Sequence, residues 1–506
     1  MSFFSRHLKS YIKRRLHGYR EVVNDVDITR PKQLAGHKPV AVIGAGLAGI
    51  AATSLLAERG FAVTLFDRNP YLGGKTAGWQ VTFADGTTTP VDHGFHAFFR
   101  HYYNLQAFLE KIGARRYLSR IDDYLVLGAD GRRFGFKDVA TTPVLNIISL
   151  GLNKFFRFRD VLLNPGSRRM GEFIKYDEIK TYSAWDRVSF AQFTEEAKLP
   201  PALRLVFNTF ARAFFAPAEK LSSAELMKSF HFFYLSHDHG LLYDYFITDY
   251  ERAFVQPVSD YLYQRHVRLK LNHPITHTTR EAGRFIVGGE FFDAIILACD
   301  VRGSREICRN SEWLQRESPS DYDKLINLEA SGGYAIYRLW LDRQTDPALP
   351  VFVITEKRRV LDSVTFYHRF EANSLEWAKE CGGGVYELHC YALPEDIDTE
   401  ESLQAAFIDE LYFYFPALKG ARILRGHLQL KRDFTAFHTG LHEHRPSTTT
   451  GVANFFLAGD WVKIHTPAML MEGAFTSGLI AANHLLAQEG LQEEPIHSVP
   501  RRGILG

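Results

Sequence analysis

Cysteine is scarce in this chain of 506 residues, and none of its four cysteines forms a CxxC pair: Cys299, Cys308, Cys381 and Cys390. So few cysteines exclude a secreted scaffold held together by disulfides. They also argue against a zinc site built on cysteine pairs. The sequence therefore predicts a protein of a reducing compartment.

An excess of charge of one sign is also missing, because 60 lysines and arginines are balanced by 58 aspartates and glutamates. Without a basic field, the chain is not expected to bind nucleic acid. The longest apolar run, Val144–Leu152, is far shorter than the ~20 residues that cross a bilayer. Residues 1–20 lack the apolar core of a secretory signal. We therefore expect a cytoplasmic protein without a membrane span.

The first 20 residues carry six lysines and arginines and no acidic residue. Four apolar residues at i, i+4 spacing form one stripe of a predicted helix: Phe4, Leu8, Ile12 and Leu16. A basic amphipathic helix of this type lies in a membrane interface, which predicts a peripheral, monotopic protein. The same pattern fits a helix packed on the protein's own body, and both interpretations stay open.

A glycine-rich loop stands in a well-defined context near the start of the chain. Val40–Ile43 predicts a buried strand, the loop GAGLAG follows directly, and Ile50–Arg59 has helical apolar spacing. In such a loop the first glycine allows a tight turn, the second lets the backbone approach a pyrophosphate, and the third allows helix and strand to pack closely. These roles fall to Gly44, Gly46 and Gly49. The pattern predicts a Rossmann-type dinucleotide site, with phosphates at the helix N-terminus.

Acidic and basic residues follow the second predicted strand. The strand ends at Asp67, whose carboxylate can accept a ribose hydroxyl. Arg68 and the pair Gly74-Lys75 come just beyond it, and a cation there can reach the flavin side of a pyrophosphate. Near the other end of the chain, a strand ends at Gly459-Asp460 and a helix opens around Gly473-Ala474. That helix start can direct N–H groups at the edge of a flavin ring.

Together these motifs resemble the flavin amine oxidase and phytoene desaturase superfamily. The segments VIGAGLAGI, DRNPYLGGK, FLAGDW and MEGAFTSGLIAAN occur in that family's order and spacing. The resemblance implies non-covalent FAD, since Cys390, the last cysteine, lies far before Asp460. It also implies these cofactor-binding residues: Gly44, Gly46, Gly49, Asp67, Arg68, Gly74, Lys75, Ile275, Gly459, Asp460, Gly473 and Ala474. Lys75 stands where the family usually has arginine.

Other segments resemble the carotenoid desaturase branch, and most closely the β-carotene desaturase/methylase group of isorenieratene-synthase-like enzymes. They are the stretches from Asp92 to Leu105 and from Val385 to Ala392, and the surroundings of Trp461. In the resembling family the first stretch lies beside the flavin. Asp92, His93 and His96 are therefore candidate catalytic residues that handle a proton, although the histidines could equally be packed structural residues.

The pattern of elements predicts an α/β protein: a Rossmann-type FAD-binding domain with an inserted α+β substrate domain. The segments Phe207–Phe215 and Phe230–Tyr234 are rich in phenylalanine and could line an apolar tunnel or belong to core helices. The predicted units are residues 1–36 as a basic N-terminal segment, 37–110, 255–310 and 440–490 as the FAD-binding domain, 111–254 and 311–439 as the substrate domain, and 491–506 as a tail.

The resemblance implies an FAD-dependent oxidoreductase that desaturates a carotenoid or related polyene and possibly aromatises an end ring with migration of a methyl group. Its partners would be a lipophilic polyene, a membrane surface, and a quinone or oxygen as electron acceptor. The alternatives are a non-redox isomerase on the same fold, an amine oxidase, and a flavin-free binding protein of the Rab-escort type. No metal site is predicted, and the two His-x-His stretches at 237–239 and 442–444 are expected to be solvated loops.

Overall fold

A five-stranded parallel sheet forms the centre of the computed structural model, which describes residues 3–153, 155–199, 204, 207–208 and 211–506. All neighbouring strands in this sheet run parallel. Because both faces are covered, strands such as Pro39–Ile43 are almost uniformly apolar. In order across the sheet the strands are Arg268–Lys270, Ala62–Phe66, Pro39–Ile43, Ala294–Leu297 and Phe455–Leu457.

Two long helices pack against each other and against the parallel sheet. They are Leu47–Glu58, which follows the glycine-rich loop, and Leu470–Gln488 near the C-terminus. A Cβ atom on Gly478 would lie 2.1 Å from the carbonyl oxygen of Ala48, so the two backbones approach too closely for any side chain at that position. The predicted α/β class, with its strand, glycine loop, helix and strand in sequence, is confirmed.

A second, seven-stranded sheet covers the first. Its strands pair antiparallel except where Phe352–Thr355 runs parallel to Leu125–Leu127. The full order is Ile423–Lys431, Tyr334–Leu341, Gly384–Cys390, Ser363–Phe366, Phe352–Thr355, Leu125–Leu127 and Arg133–Gly135. The two sheets draw on separate stretches of the chain, while the exact domain limits stay a prediction.

Smaller elements complete the fold. Short antiparallel sheets are formed by Gly78–Thr82 with Thr88–Asp92; by Phe98–Phe99, Tyr243–Phe246 and Leu118–Arg120; and by Thr279–Glu281, Arg284–Val287 and Glu290–Phe292. The further helices of the described residues include Tyr103–Lys111, Leu145–Leu152, Phe158–Leu162, Ser167–Met170, Glu178–Trp185, Phe190–Glu196, Ser223–Phe230, Gln256–Tyr263, Val301–Arg309, Glu312–Glu317, Pro319–Ile326, Ala372–Cys381 and Glu400–Tyr414. Within the part of the chain that the structure describes, no helix has the length and apolarity to cross a membrane.

The N-terminal helix, Phe3–Arg15, packs against the end of the chain. Ile12 and Leu16 are buried together with Ile504, and the Arg15 guanidinium donates to the Ile504 carbonyl oxygen. Further along, the strand Glu21–Val22 pairs with His497–Ser498. This half of the predicted apolar stripe is therefore used inside the protein, whereas the lysines and arginines at 13–15 are exposed.

Two sequence-based assignments need comment. The apolar run over 291–299 predicts a single buried strand, but it is divided, because Asp293 interrupts the run and pairs with Arg284 at 2.8 Å. Its two halves enter different sheets, Glu290–Phe292 and Ala294–Leu297. The sequence over 202–215 also has helical apolar spacing, and residues 202–203, 205–206 and 209–210 of that segment lie outside the described residues.

Candidate active site

A cavity of about 670 Å³ lies between the two sheets, at the carboxyl ends of the parallel strands. This edge of an open α/β sheet is where such folds bind ligands. Most of the residues predicted to bind a cofactor line this cavity: Gly44, Gly46, Asp67, Arg68, Gly74, Lys75, Ile275, Gly459, Asp460 and Ala474. The structure therefore brings together residues from four distant parts of the sequence.

The glycine-rich loop leaves room for a ligand beside its backbone. Gly44 has φ +109°, and a Cβ atom there would lie 2.6 Å from the carbonyl oxygen of Ala298. Gly46 caps the helix Leu47–Glu58, and a Cβ atom there would meet nothing within 4 Å. The loop thus presents free N–H groups at a helix N-terminus to open cavity space, an arrangement that fits a pyrophosphate.

Asp67 closes the second strand of the predicted motif. Its carboxylate accepts the backbone N–H groups of Ala45 at 2.7 Å and Asn69 at 2.8 Å. Burial raises the pKa of Asp67 above its ordinary value, against the lowering effect of these two hydrogen bonds. These two hydrogen bonds fix the carboxylate between two loops. It still lines the cavity, where its remaining lone pairs can accept a hydrogen bond from a hydroxyl group.

Two predicted glycines do not line the main cavity. A Cβ atom on Gly49 would lie 1.8 Å from the carbonyl oxygen of Gly44, so Gly49 serves the close packing of helix and strand. Gly473 lines a small neighbouring cavity instead, while the adjacent Ala474 faces the main one. The start of the helix Leu470–Gln488 therefore reaches the main cavity through Ala474, Leu470 and Met471.

A chain of polar contacts joins Lys75 to His93 along the cavity wall. The Lys75 ammonium group lies 3.6 Å from the Asp433 carboxylate and donates to the Asp433 carbonyl oxygen. The Tyr334 hydroxyl donates to the Asp433 carboxylate at 2.8 Å, and the same hydroxyl oxygen lies 3.0 Å from His93 Nε2. Because that hydroxyl proton is already donated, His93 Nε2 must carry a hydrogen, and Nδ1 keeps the lone pair.

Both candidate histidines line the cavity and are held neutral. Burial, with the nearby Lys75 charge, lowers the pKa of His93 to about 3. Burial lowers the pKa of His96 to about 4, although its bond to a carbonyl opposes the shift. His96 Nδ1 lies 2.6 Å from the Gly94 carbonyl oxygen and must donate to it, which leaves Nε2 with the lone pair. Each ring therefore retains one basic nitrogen.

Asp92 lies behind this turn and is not among the residues that line the cavity. Its carboxylate accepts hydrogen bonds from Arg338 at 2.7 Å, from the Tyr367 hydroxyl at 3.2 Å and from the Gly94 N–H at 3.1 Å. Arg338 also pairs with Glu387, and both side chains are buried. Burial, together with repulsion from Glu387, raises the pKa of Asp92 to about 6. This ion network of Asp92, Arg338 and Glu387 fixes the turn that carries both histidines.

The part of the cavity beyond the turn is lined mainly by aromatic and aliphatic side chains. Phe95 stacks on Phe352 with ring centroids 5.1 Å apart, and Phe99 contacts Phe233 at 4.8 Å. The aromatic and aliphatic residues lining this part include Phe95, Phe99, Tyr124, Phe215, Phe233, Leu241, Tyr243, Ile336, Phe352 and Ile354. Within the phenylalanine-rich segments, Phe215 and Phe233 line the cavity, whereas Phe207 and Phe230 pack in the core.

An amine oxidase needs an aromatic cage beside the flavin to hold the amine, and Trp461 is the candidate for it. Trp461, however, does not line the cavity. It is 1% exposed, and its indole N–H donates to the Cys299 carbonyl oxygen at 2.9 Å. The first His-x-His stretch, 237–239, also differs from expectation, because His237 is fully buried and stacks on His101 at 3.8 Å, whereas Glu443 and His444 of the second stretch are exposed. The apolar segment before His237 carries it into the core. The described residues contain no group of three or more metal-ligand side chains placed to hold an ion.

Several polar residues of the site have no local signature in the sequence. Tyr334, Asp433 and Lys431 line the cavity and belong to no recognisable motif. His389 also lines it and lies in the stretch from Val385 to Ala392, but that resemblance gave it no role. They lie at or just beyond strand ends of the seven-stranded sheet. Only the assembled sheet brings them to the cavity, as with Tyr334, which contacts a histidine 241 positions away.

The fold and the site define a dinucleotide-binding oxidoreductase of the flavoprotein type, because the glycine-rich loop, Asp67 and the pair Gly74-Lys75 meet at one cavity. The chain belongs to the flavin containing amine oxidoreductase family, which matches residues 47–486. It is accordingly an FAD-dependent oxidoreductase, and the predicted family, cofactor and enzyme class are confirmed.

Similar proteins support this assignment. The chain is 34% identical to a carotenoid phi-ring synthase of Streptomyces griseus, over 92% of this chain and 90% of that protein. It is 24% identical to a zeta-carotene desaturase of Synechocystis sp., over 89% of this chain and 97% of that one. A solved putrescine oxidase bound to putrescine shares the fold at 15% identity, with TM-score 0.62 over 89% of this chain and 99% of that chain.

Proposed function

We propose that this FAD-dependent oxidoreductase desaturates a carotenoid or related isoprenoid polyene and aromatises an end ring with migration of a methyl group. The observation that carries the proposal is the cavity itself. One part of it is bordered by the glycine-rich loop, and the other part is lined mainly by aromatic and aliphatic side chains. The similarity to a carotenoid phi-ring synthase and to zeta-carotene desaturases supports the same substrate class.

An apolar cavity suits a polyene because the substrate offers few groups for hydrogen bonding. Rings such as Phe95, Phe352 and Phe233 bury hydrocarbon surface and exclude water. Removal of a hydride from an allylic carbon leaves a cation that is delocalised over the polyene. A dry aromatic wall protects that cation from capture by water.

The polar groups of the site divide between holding the cofactor and moving protons. FAD, when bound, supplies a two-electron acceptor that can take a hydride from carbon. The main chain at Gly46 faces the space for its pyrophosphate, and Lys75 provides a cation beside it. His93 and His96 each offer a basic ring nitrogen to the cavity and would accept a proton from the substrate. Asp92 would position them through its bond to the turn.

The direct test is expression in cells that accumulate lycopene, γ-carotene or β-carotene, followed by chromatography of the pigments. We expect carotenoids with an aromatic end ring from the cyclised substrates, with electrons passing to a quinone or oxygen. Products that differ from the substrate only in double-bond position or geometry would contradict the proposal and favour the isomerase. Unchanged pigments in all three hosts, with flavin-loaded protein present, would reject a carotenoid substrate.

We also propose that the protein docks on a membrane surface through the helices Leu145–Leu152 and Phe158–Leu162 and the adjoining Leu163. Exposed apolar side chains concentrate there, with Leu152 69% and Leu163 81% exposed. Val144, directly before the first of these helices, packs against the apolar cluster of Ile12, Leu16 and Ile504, so the basic N-terminal helix is a neighbour of this region. A series of ring contacts leads from the cavity towards the same region: Tyr124 stacks on Phe136, and Phe136 meets Phe155 edge to face.

Flotation with anionic liposomes tests this docking surface. We expect the double substitution Leu152→Ser and Leu163→Ser, and removal of residues 1–20, each to reduce flotation while FAD stays bound. The control is Ile423→Ser, an exposed apolar residue of the seven-stranded sheet. Equal flotation of all four proteins would refute membrane docking by this surface.

A further inference from the structure

A third imidazole faces the cavity beside the turn that carries His93 and His96. His389, at the end of strand Gly384–Cys390, lines the cavity, and its side chain is 6% exposed. A Cβ atom built on Gly94 would lie 3.1 Å from His389 Cε1. The His389 ring therefore contacts the same turn from the seven-stranded sheet.

One nitrogen of His389 is held by a carboxylate. Nε2 lies 3.0 Å from Glu387 Oε1. Because an ionised carboxylate oxygen only accepts, Nε2 carries the hydrogen and Nδ1 keeps the lone pair. Among the described residues Nδ1 has no hydrogen-bond partner, so it remains available to a molecule in the cavity.

Glu387 is itself fixed and ionised. Arg338 Nε donates to one of its oxygens at 2.9 Å, and the Phe95 N–H donates to the other at 2.8 Å. Burial would raise the pKa of Glu387, but the Arg338 charge and the bond from His389 outweigh it and lower the pKa to about 2. An imidazole with an ionised carboxylate on its far nitrogen can take a proton at the near one, since the carboxylate stabilises the resulting cation.

We propose that His389, oriented by Glu387, is a second proton acceptor of the reaction. The inference rests on the proposed function, because turning a cyclohexene end ring into an aromatic ring removes two hydrides and two protons from different ring carbons. For each new double bond the substrate loses one hydride, for which bound FAD would supply the acceptor, and a neighbouring carbon gives up a proton. The electron pair of that second C–H bond becomes the new double bond.

The second proton passes to His389 Nδ1 and then to solvent. The electrons of the two hydrides leave in turn to the quinone or oxygen acceptor. The methyl shift moves a C–C bond and its electron pair to the neighbouring cationic carbon, so it needs no further acceptor. His93 or His96 accepts one of the two protons, and His389 accepts the other. Glu387 is a positioning residue in this scheme, since it touches His389 and not the cavity.

The test uses His389→Gln, which can still donate to Glu387 but cannot accept a proton. Flavin-loaded wild-type and variant proteins are mixed anaerobically with β-carotene to follow bleaching of the flavin. Products are then chromatographed after turnover with a quinone. We expect bleaching within about threefold of wild type and a loss of aromatic product of about 10²-fold or more, with partly desaturated rings accumulating. Glu387→Gln is expected to show the same product pattern with a smaller loss.

The matched control is His368→Gln, another buried histidine, which bonds Val385 of the same strand and does not line the cavity. It is expected to keep the wild-type ratio of aromatic to partly desaturated product. Formation of aromatic product by His389→Gln at the wild-type rate would overturn the assignment. An equal change of that ratio in both variants would overturn it as well.

A measurement independent of turnover checks the geometry. Diethyl pyrocarbonate should modify His389 in the flavin-loaded protein, and β-carotene should protect it, as read by mass spectrometry of peptides. An unmodified His389 would refute the cavity-facing nitrogen. If no carotene bleaches the flavin of the FAD-loaded wild-type protein although His389 is modified, the carotenoid proposal fails and the site geometry stands. The two failures are therefore distinguishable.

Discussion

The glycine-rich loop lines the cavity, the buried ion network lies behind its wall, and the two are built in opposite ways. The loop at residues 44–49 acts through its main chain, and its members are neighbours in sequence. The network joins Asp92 to Arg338 across 246 positions and acts only through side chains. The first presents N–H groups to open space, and the second orients a turn from behind. The main-chain geometry of the glycine-rich loop is thus a local property of the chain, whereas the reaction environment is a property of the assembled sheets.

Gly46→Val is the strongest test of the role of the glycine-rich loop in cofactor binding. A branched side chain would fill the open space beside the loop where the pyrophosphate has to lie. We expect FAD binding to weaken by more than about 100-fold, or roughly 3 kcal/mol, and the purified protein to be colourless. Flavin absorbance per protein is the measurement. Gly36→Val is the control, because Gly36 is exposed and also has nothing within 4 Å. A full flavin spectrum in Gly46→Val would show that this loop does not hold the cofactor.

The same contrast explains what could be predicted from the sequence. The strand, loop, helix and acid around Gly44, Gly46 and Asp67 could be predicted because each step depends on residues a few positions away. The carboxylate of Asp92 could not be placed, since its direction depends on Arg338. Tyr334 and His389 were not identified for the same reason: their side chains acquire a role only when the seven-stranded sheet closes over the cavity.

Among the side chains of the assembled site, the largest expected effect of a substitution is on the rate of the chemical step. His93→Ala and His96→Ala should each keep FAD and lose turnover by about 10²–10⁴-fold, the range typical of a lost general base. Flavin content and product formation with β-carotene are measured on the same preparations. His444→Ala serves as control, because that histidine is 71% exposed and lies outside the cavity. Wild-type turnover in both variants would remove them from proton transfer, whereas loss of FAD would make the histidine structural.

The ion network itself should respond in stability. Arg338→Met leaves two buried carboxylates without their cation, and we expect a loss of about 3–5 kcal/mol in unfolding free energy. Arg422→Met removes one partner of a surface pair with Asp342, whose Arg422 side chain is 78% exposed, and should cost below about 1 kcal/mol. Thermal unfolding of both variants in parallel gives the comparison. Equal decreases in melting temperature would mean that the network does not hold the turn.

The smallest expected effect separates two buried glutamates. Glu387 has Arg338 and stays ionised. Glu472, at the start of helix Leu470–Gln488, instead accepts hydrogen bonds from neutral donors, the N–H groups of Asn104 and Leu105 and the Thr476 hydroxyl. Burial raises the pKa of Glu472 from 4.5 to about 8. Between pH 4.5 and about 8 the Glu472 carboxyl group stays protonated in the folded protein, whereas it is ionised in the unfolded chain. The contribution of Glu472 to the free energy of unfolding therefore falls as the pH rises.

The slope from this single group is at most about 1.4 kcal/mol per pH unit. Glu472→Gln cannot ionise, and we expect its melting temperature to fall less than that of wild type between pH 5 and 8. Other titrating groups are common to both proteins, and the difference between the two curves isolates Glu472. Parallel curves would mean that Glu472 is ionised in the folded protein despite its burial. The helix start beside Ala474 would then carry a negative charge, at the place where N–H groups are expected to face the flavin.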